Sequence, residues 1–263
     1  MRAGFFGVMV MSTEDPRFAG IARLYGIEGL ERLRAAHVAI VGVGGVGSWA
    51  AEAIARCGVG EISLFDLDDV CVSNANRQLH ALDSTVGKPK VEVMAERLRG
   101  INPDCTVHAV ADFVTRDTMA EYITPNIDCV IDCIDSVNAK AALIAWCKRR
   151  KIQIITTGGA GGQIDPTLIQ VCDLNRTFND PLASKVRSTL RRDYGFFPHR
   201  DPSLQRALRV LHRTTALPET GRQHLLAEEF CRRRRQARLR RRVRRGDDGD
   251  GDVRHGRGDQ GCG

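Results

Sequence analysis

A chain of 263 residues, 43% hydrophobic and 27% charged, can bury a sizeable core, and its composition excludes a fibrous, collagen-like or wholly disordered protein. Its net charge of +7 invites a nucleic-acid reading, but residues 1–199 carry 22 Lys+Arg against 23 Asp+Glu (−1) and residues 200–263 carry 17 against 9 (+8), so the excess belongs to the tail. Nine cysteines without a C-x-x-C pair argue against a zinc ribbon or a disulfide framework and for reduced thiols, and no apolar run reaches the roughly 20 residues of a spanning helix, so a cytoplasmic protein is expected.

In chain order, residues 1–16 are read as an upstream-start or disordered segment. Gly4–Met11 faintly resembles a signal core, but no small-residue cleavage site follows, and Met11 is the more natural start. Arg17–Arg34 has helical periodicity, with Ile21, Leu24, Leu30 and Leu33 on one side and Arg23 among them. Val38–Val41 is a short β-branched run that breaks into Gly42-Val43-Gly44-Gly45-Val46-Gly47, after which Ser48–Arg56 is helix-forming. Such a turn lets backbone N–H groups approach a phosphate at a helix N-terminus, because Gly42, Gly44, Gly45 and Gly47 present no Cβ. Alone it fits a dinucleotide site, a mononucleotide site or a plain helix–strand contact.

Glu61–Asp66 reads as the second strand, and it ends in a carboxylate about 20 residues past the turn, where a ribose hydroxyl is held in dinucleotide-binding folds. The segment beyond it carries Asp68, Asn74, Arg77, Gln78 and, in VGKPK, Lys90. A hydride-transfer enzyme needs the one acid and then a plain helix. An Arg–Gln pair and a lysine suit a triphosphate, where charge building on phosphorus must be met by fixed cations.

Gly87–Arg99 is expected as an amphipathic helix with Pro89 in its first turn. Thr106–Val110 follows as a strand, Thr115–Tyr122 as a helix and Cys129–Asp132 as a strand. Asp135 lies in the turn beyond, then come a helix over Ser136–Arg150 and a strand over Ile152–Thr157. The alternation predicts an α/β, Rossmann-like doubly wound, mainly parallel sheet covered on both faces. Gly42–Gly47, Asp66, Asp135 and Gly158–Gly162 all fall at the carboxyl ends of the strands, where such sheets bind ligands. Ile164–Val171 is expected as a further strand and Asp180–Tyr194 as a basic helix, whose Lys185, Arg187, Arg191 and Arg192 are candidates for an RNA-facing surface.

Composition changes abruptly near His199. The last 64 residues hold 17 Arg and no Lys, Ile, Asn, Tyr, Met or Trp, the bias of a GC-rich gene read out of frame. We expect a body over 17–198 and a disordered basic tail over 199–263 that packs against nothing. The alternative is a genuine basic arm for nucleic acid.

GVGGVG, D-x-D-x-V-x-x-x-N-x-x-R-Q and V-G-x-P-K, in that order, resemble the ATP-adenylating family of ubiquitin-activating enzymes, whose bacterial members activate molybdopterin and thiamin sulfur carriers. RFAGIARLYG, DDVCVSNANRQLHAL, VMAERLRGINP, VIDCIDSV and TTGGAGGQIDPT narrow the resemblance to its tRNA threonylcarbamoyladenosine dehydratases, over about Arg17–Phe197. The resemblance implies ATP and Mg²⁺ as cofactors, a tRNA substrate, a homodimer and a link to a cysteine desulfurase. It also implies roles: the glycines admit the phosphates and Asp66 holds the ribose. Asp68, Asn74, Arg77, Gln78 and Lys90 line the nucleotide, Asp135 helps hold Mg²⁺, and Arg23 reaches into the partner subunit's site. Three alternatives stand beside it: a sulfur-carrier adenylyltransferase, although the zinc cysteine pairs of several such relatives are missing; an NAD-dependent oxidoreductase; and a chain made inactive by its altered end.

Overall fold

Alternate residues of the first strand bury against opposite sides of a sheet. In the computed structural model, β1 (His37–Val41) sends Val38 and Ile40 into one apolar cluster and Ala39 and Val41 into another. That is the signature of a central parallel strand with helices on both faces. The structure describes residues 15–162, 165–196 and 208–212, the last as backbone. The chain divides into two units, Met1–Glu219 and Thr220–Gly263, and all that follows concerns the first. The expected leader, and the tail beyond residue 212, lie outside the described residues.

Around β1 the elements alternate: α1 (Ala19–Ala35), α2 (Gly47–Arg56), β2 (Glu61–Phe65), α3 (Lys90–Ile101), β3 (Thr106–Val110), α4 (Met119–Tyr122), β4 (Cys129–Asp132), α5 (Val137–Arg150), β5 (Gln153–Thr157), β6 (Gln170–Asp173), α6 (Pro181–Tyr194) and β7 (Leu208–His212). The strand order is β3-β2-β1-β4-β5-β7-β6. The first five strands are parallel, and the order reverses between β1 and β4, where an open α/β sheet forms its ligand crevice. Ala51, Ala55, Met94 and Leu98 of α2 and α3 cover one face, while Leu143, Ile144, Val186 and Leu190 of α5 and α6 cover the other. Glu52 of α2 accepts from Arg97 of α3 at 2.6 and 3.1 Å, locking the first pair together.

Several expectations are corrected. α1 is broken at Gly26 (φ 79°, ψ 165°), so the helical phase resets and Leu24, expected on the buried side with Leu30, is exposed. The helix expected from Gly87 starts at Lys90, with Pro89 extended at its N-cap instead of in the first turn. The helix expected over Thr115–Tyr122 is only the short α4, because Thr115 and Thr118 spend their hydroxyls on local turn bonds. The strand expected over Ile164–Val171 runs instead over Gln170–Asp173, after a turn begun by Pro166 and capped by Asp165. The expectation that everything past Phe197 packs against nothing fails at β7, which pairs parallel with β5 and antiparallel with β6. A free edge on β5 offers a ladder of backbone groups, and pairing them makes few demands on sequence. Cys57, Cys105, Cys129, Cys133, Cys147 and Cys172 are free thiols.

Candidate functional site at the carboxyl end of the sheet

The glycine turn is closed by its own backbone. Gly42 N donates to Phe65 O at 2.9 Å, and Cys133 N donates to Val41 O at 2.8 Å, so the ends of β1, β2 and β4 are drawn together. A Cβ on Gly47 would lie 1.8 Å from Gly42 O, and one on Gly42 (φ 90°) would lie 2.9 Å from Cys133 O. These two glycines are demanded by the fold itself. Gly44 and Gly45 differ, since their nearest neighbours are side chains: Gln78 Nε2 at 3.9 Å from a Cβ on Gly44, and Arg77 Cγ at 3.0 Å from one on Gly45.

Residues 72–80 thus lie over the glycine turn. Trp49 Nε1 donates to Arg77 O (3.1 Å) and Leu79 N to Ser48 Oγ (3.3 Å), fixing the segment on the first turns of α2. The exposed Arg77 guanidinium donates to Ser73 O and Asn76 Oδ1, both at 3.0 Å. Gln78 is 6% exposed, and its Oε1 has no partner among the described residues. Asn74 is spent locally, its Oδ1 accepting from Cys71 N at 2.9 Å and shaping the segment.

Asp66 sits just past β2. Its Oδ2 accepts from Val43 N (2.8 Å) and its Oδ1 from Asp68 N (2.9 Å), so the expected ribose ligand also braces the turn. Each oxygen keeps a second lone pair for a hydroxyl donor. Burial raises the Asp66 carboxyl above its ordinary value against the pull of Lys90, and the neighbouring Asp68 adds to the rise. Lys90, 6% exposed, is held by Asp68 Oδ2 at 3.1 Å, while its backbone N donates to Asp68 O at 3.0 Å. The lysine is therefore aimed from both ends.

Asp135 stands exposed in the turn between β4 and α5. Among the described residues no three His, Cys, Asp or Glu side chains converge on a metal position. A lone carboxylate suits Mg²⁺, which takes one or two protein oxygens and leaves the rest to phosphates and water. Gly159 N donates to Asp180 Oδ2 (3.2 Å), tying the second glycine run to the start of α6. Arg23 is not brought to the turn of its own chain. Phe18 and Leu30 of the same leading segment pack at Gly58, the opposite end of the sheet.

Sequence reasoning missed two groups. Lys140, 1% exposed in α5, donates to Asp132 O (3.2 Å) and Thr156 Oγ1 (3.0 Å) and pairs with Asp132 Oδ2 (2.9 Å). Asp132 Oδ1 in turn accepts from Ile134 N (3.1 Å), setting the turn that carries Asp135. The presence of Lys140 five residues past Asp135 was visible, but a lone helical lysine normally reads as solvated. His80 is 2% exposed with both ring nitrogens unpartnered among the described residues, and burial, helped by the charge of Lys90, pushes its pKa down to about 4.

The arrangement offers a glycine turn at a helix N-terminus, a braced carboxylate and cations fixed over one rim. This is equipment for binding a nucleoside triphosphate and neutralising charge that develops on it. The ThiF family model matches residues 18–191. The chain is 55% identical over 193 residues to a tRNA threonylcarbamoyladenosine dehydratase of Haemophilus influenzae, covering 72% of this chain and 74% of that one. The crystal structures of the Escherichia coli tRNA N6-threonylcarbamoyladenosine dehydratase with ATP and with AMP each match at TM-score 0.73 and 56% identity, over 76% of this chain and 82% of theirs.

Proposed function

We propose, for a chain that belongs to the ThiF family, that it dehydrates threonylcarbamoyladenosine in tRNA to its cyclic form at the expense of ATP. The carboxylate of the modified base attacks the α-phosphorus of ATP, pyrophosphate leaves, and an acyl-adenylate results. The amide system then closes onto the activated carbonyl and expels AMP. Hydroxide is too poor a leaving group for direct closure, whereas AMP is a good one. The relatives bound to ATP and to AMP carry the two nucleotides that begin and end such a sequence.

One observation supports this reading above the others: Arg77 and Gln78 lie against Gly45 and Gly44, with Lys90 fixed on the same stretch by Asp68. A nicotinamide site gives these groups no task. In our assignment Gly42, Gly44, Gly45 and Gly47 admit the phosphates, Asp66 takes the ribose, and Asp68, Asn74 and Gln78 shape and line the pocket. Arg77 and Lys90 meet the charge developing at phosphorus, and Asp135 shares Mg²⁺ with the phosphates. We place Arg23 at the site of a second subunit, since it lies at the far end of its own sheet, and exposed Leu24, Tyr25 and Ile27 beside it favour a homodimer. No helix among the described residues is long and apolar enough to cross a membrane. A cytoplasmic enzyme linked to a cysteine desulfurase remains our proposal. Pyrophosphate exchange into ATP that depends on threonylcarbamoyladenosine-bearing tRNA tests the reading. Exchange supported instead by a sulfur carrier ending in Gly-Gly would overturn it.

A further inference from the structure

The described body is nearly neutral, yet its cations are not evenly spread. Arg149, Arg150 and Lys151 at the end of α5 are exposed, as are Arg116 in the stretch before α4 and Arg191 near the end of α6. Three separate segments meet at one ring. Arg116 donates to the Tyr194 hydroxyl at 2.7 Å and its guanidinium carbon lies 5.4 Å from the ring centre, while that of Arg149 lies 5.8 Å from the same centre. Arg150 stacks 3.5 Å over Trp146, whose own Nε1 is anchored on Ile123 O at 3.0 Å. Among the described residues, none of Arg116, Arg149, Arg150, Lys151 and Arg191 has a carboxylate within ion-pair distance.

The negative ends of α5 and α6 account for part of this gathering, since cations are favoured in a helix's last turn. They do not account for Arg116, which belongs to neither helix. Nor are all nearby cations available. Arg187, expected to face RNA, turns inward and donates to Leu174 O (3.2 Å) and Thr177 O (3.0 Å), and Arg192 is held by Asp193 at 2.7 and 2.9 Å.

We infer that Arg116, Arg149, Arg150, Lys151 and Arg191, gathered where α5 and α6 end, dock the sugar-phosphate backbone of the tRNA whose modified base enters the nucleotide site. The inference rests on the function proposed above. Asp180, held to Gly159 at the carboxyl end of the sheet, starts α6, and its 14 residues descend about 21 Å to Tyr194. A mononucleotide in the site does not reach that far, whereas a tRNA stem does. Guanidinium groups held against aromatic rings lose little freedom on meeting phosphate, and their contacts read charge and spacing, not sequence.

The test is binding of unmodified tRNA by the full chain across a salt series, with ATP affinity measured alongside. Arg149→Gln, Arg150→Gln and Lys151→Gln together should weaken tRNA binding tenfold or more. The slope of log affinity against log salt should fall by about 2–3, near one unit per lost phosphate contact, with ATP affinity unchanged within twofold. Arg116→Gln alone, far along the chain and exposed, should lower the slope by about one. An unchanged slope and affinity in both variants overturn the inference. If the triple variant also loses ATP affinity, the domain has been damaged and Arg116→Gln decides the matter. If tRNA binding falls as expected but the parent chain supports no tRNA-dependent exchange, the docking face stands and the proposed reaction falls.

Discussion

Lys140 Nζ lies 2.9 Å from Asp132 Oδ2, and both side chains are withdrawn from water. The same carboxylate orients Ile134 through its other oxygen. The buried pair therefore sets the turn bearing Asp135.

Lys140→Met should cost about 3–5 kcal/mol, because it strands a buried carboxylate. The double variant with Asp132→Asn should recover most of that, since an amide oxygen still accepts from Ile134 N without carrying charge. Urea unfolding of the two variants measures this. Equal stability of single and double variants would show that the pair is not coupled.

The four glycines of the turn should divide in two. Gly47→Ala forces a Cβ to 1.8 Å from a backbone oxygen and should destabilise the domain by several kcal/mol or prevent its folding. Gly44→Ala meets only the end of Gln78 at 3.9 Å and should stay within about 1 kcal/mol of the parent in stability. If Gly44 admits the phosphates as proposed, the added methyl should lower ATP affinity at least tenfold. Parent-like ATP affinity in a folded Gly44→Ala chain would remove the phosphate role from that glycine.

His80 gives a pH signature. Its pKa falls from 6.5 to about 4 on folding, so between those values the unfolded chain binds more protons. Stability should then be whole above about pH 6.5 and decline as pH drops toward 4, by about 3 kcal/mol at most. His80→Leu should flatten that portion of the curve. A slope unaltered by the substitution would assign the acid sensitivity elsewhere.

The extent to which this architecture is legible in the sequence follows from how local each signal is. Thr106–Val110, a largely exposed edge strand, and Cys129–Asp132, a short apolar run ended by a turn, both match their expected bounds because each is bounded by turn residues. Asp66, Arg77, Gln78 and Lys90 could be singled out as candidates because they follow a glycine turn in one continuous stretch. Lys140 was not, because its partners Asp132 and Thr156 become its neighbours only once β4 and β5 pair. The break at Gly26 was missed because one glycine inside a helical pattern usually costs propensity without interrupting the helix. β7 was masked by the arginine-rich composition around it, although a strand needs only a few residues and backbone partners.

Lys90→Ala should reduce tRNA-dependent pyrophosphate exchange about 100-fold or more, by analogy with losing one electrostatic stabiliser. If Arg23 acts across a dimer, mixing Arg23→Ala with Lys90→Ala subunits should restore part of the activity, because one hybrid site keeps both groups. Absence of restoration in verified mixed dimers would return Arg23 to the surface of its own chain.

A continuous string of hydrogen bonds runs from Val43 through Asp66 and Asp68 to Lys90, each 2.8–3.1 Å long. It makes one wall of the nucleotide site a single stiff piece, floored by β1 and β2. The facing wall, residues 72–80, is fastened to α2 by two bonds, Trp49 to Arg77 and Leu79 to Ser48. On the proposed assignment, nucleotide traffic would then have one yielding side, past Arg77, and the guanidinium proposed to meet the charge at phosphorus would also stand in the doorway.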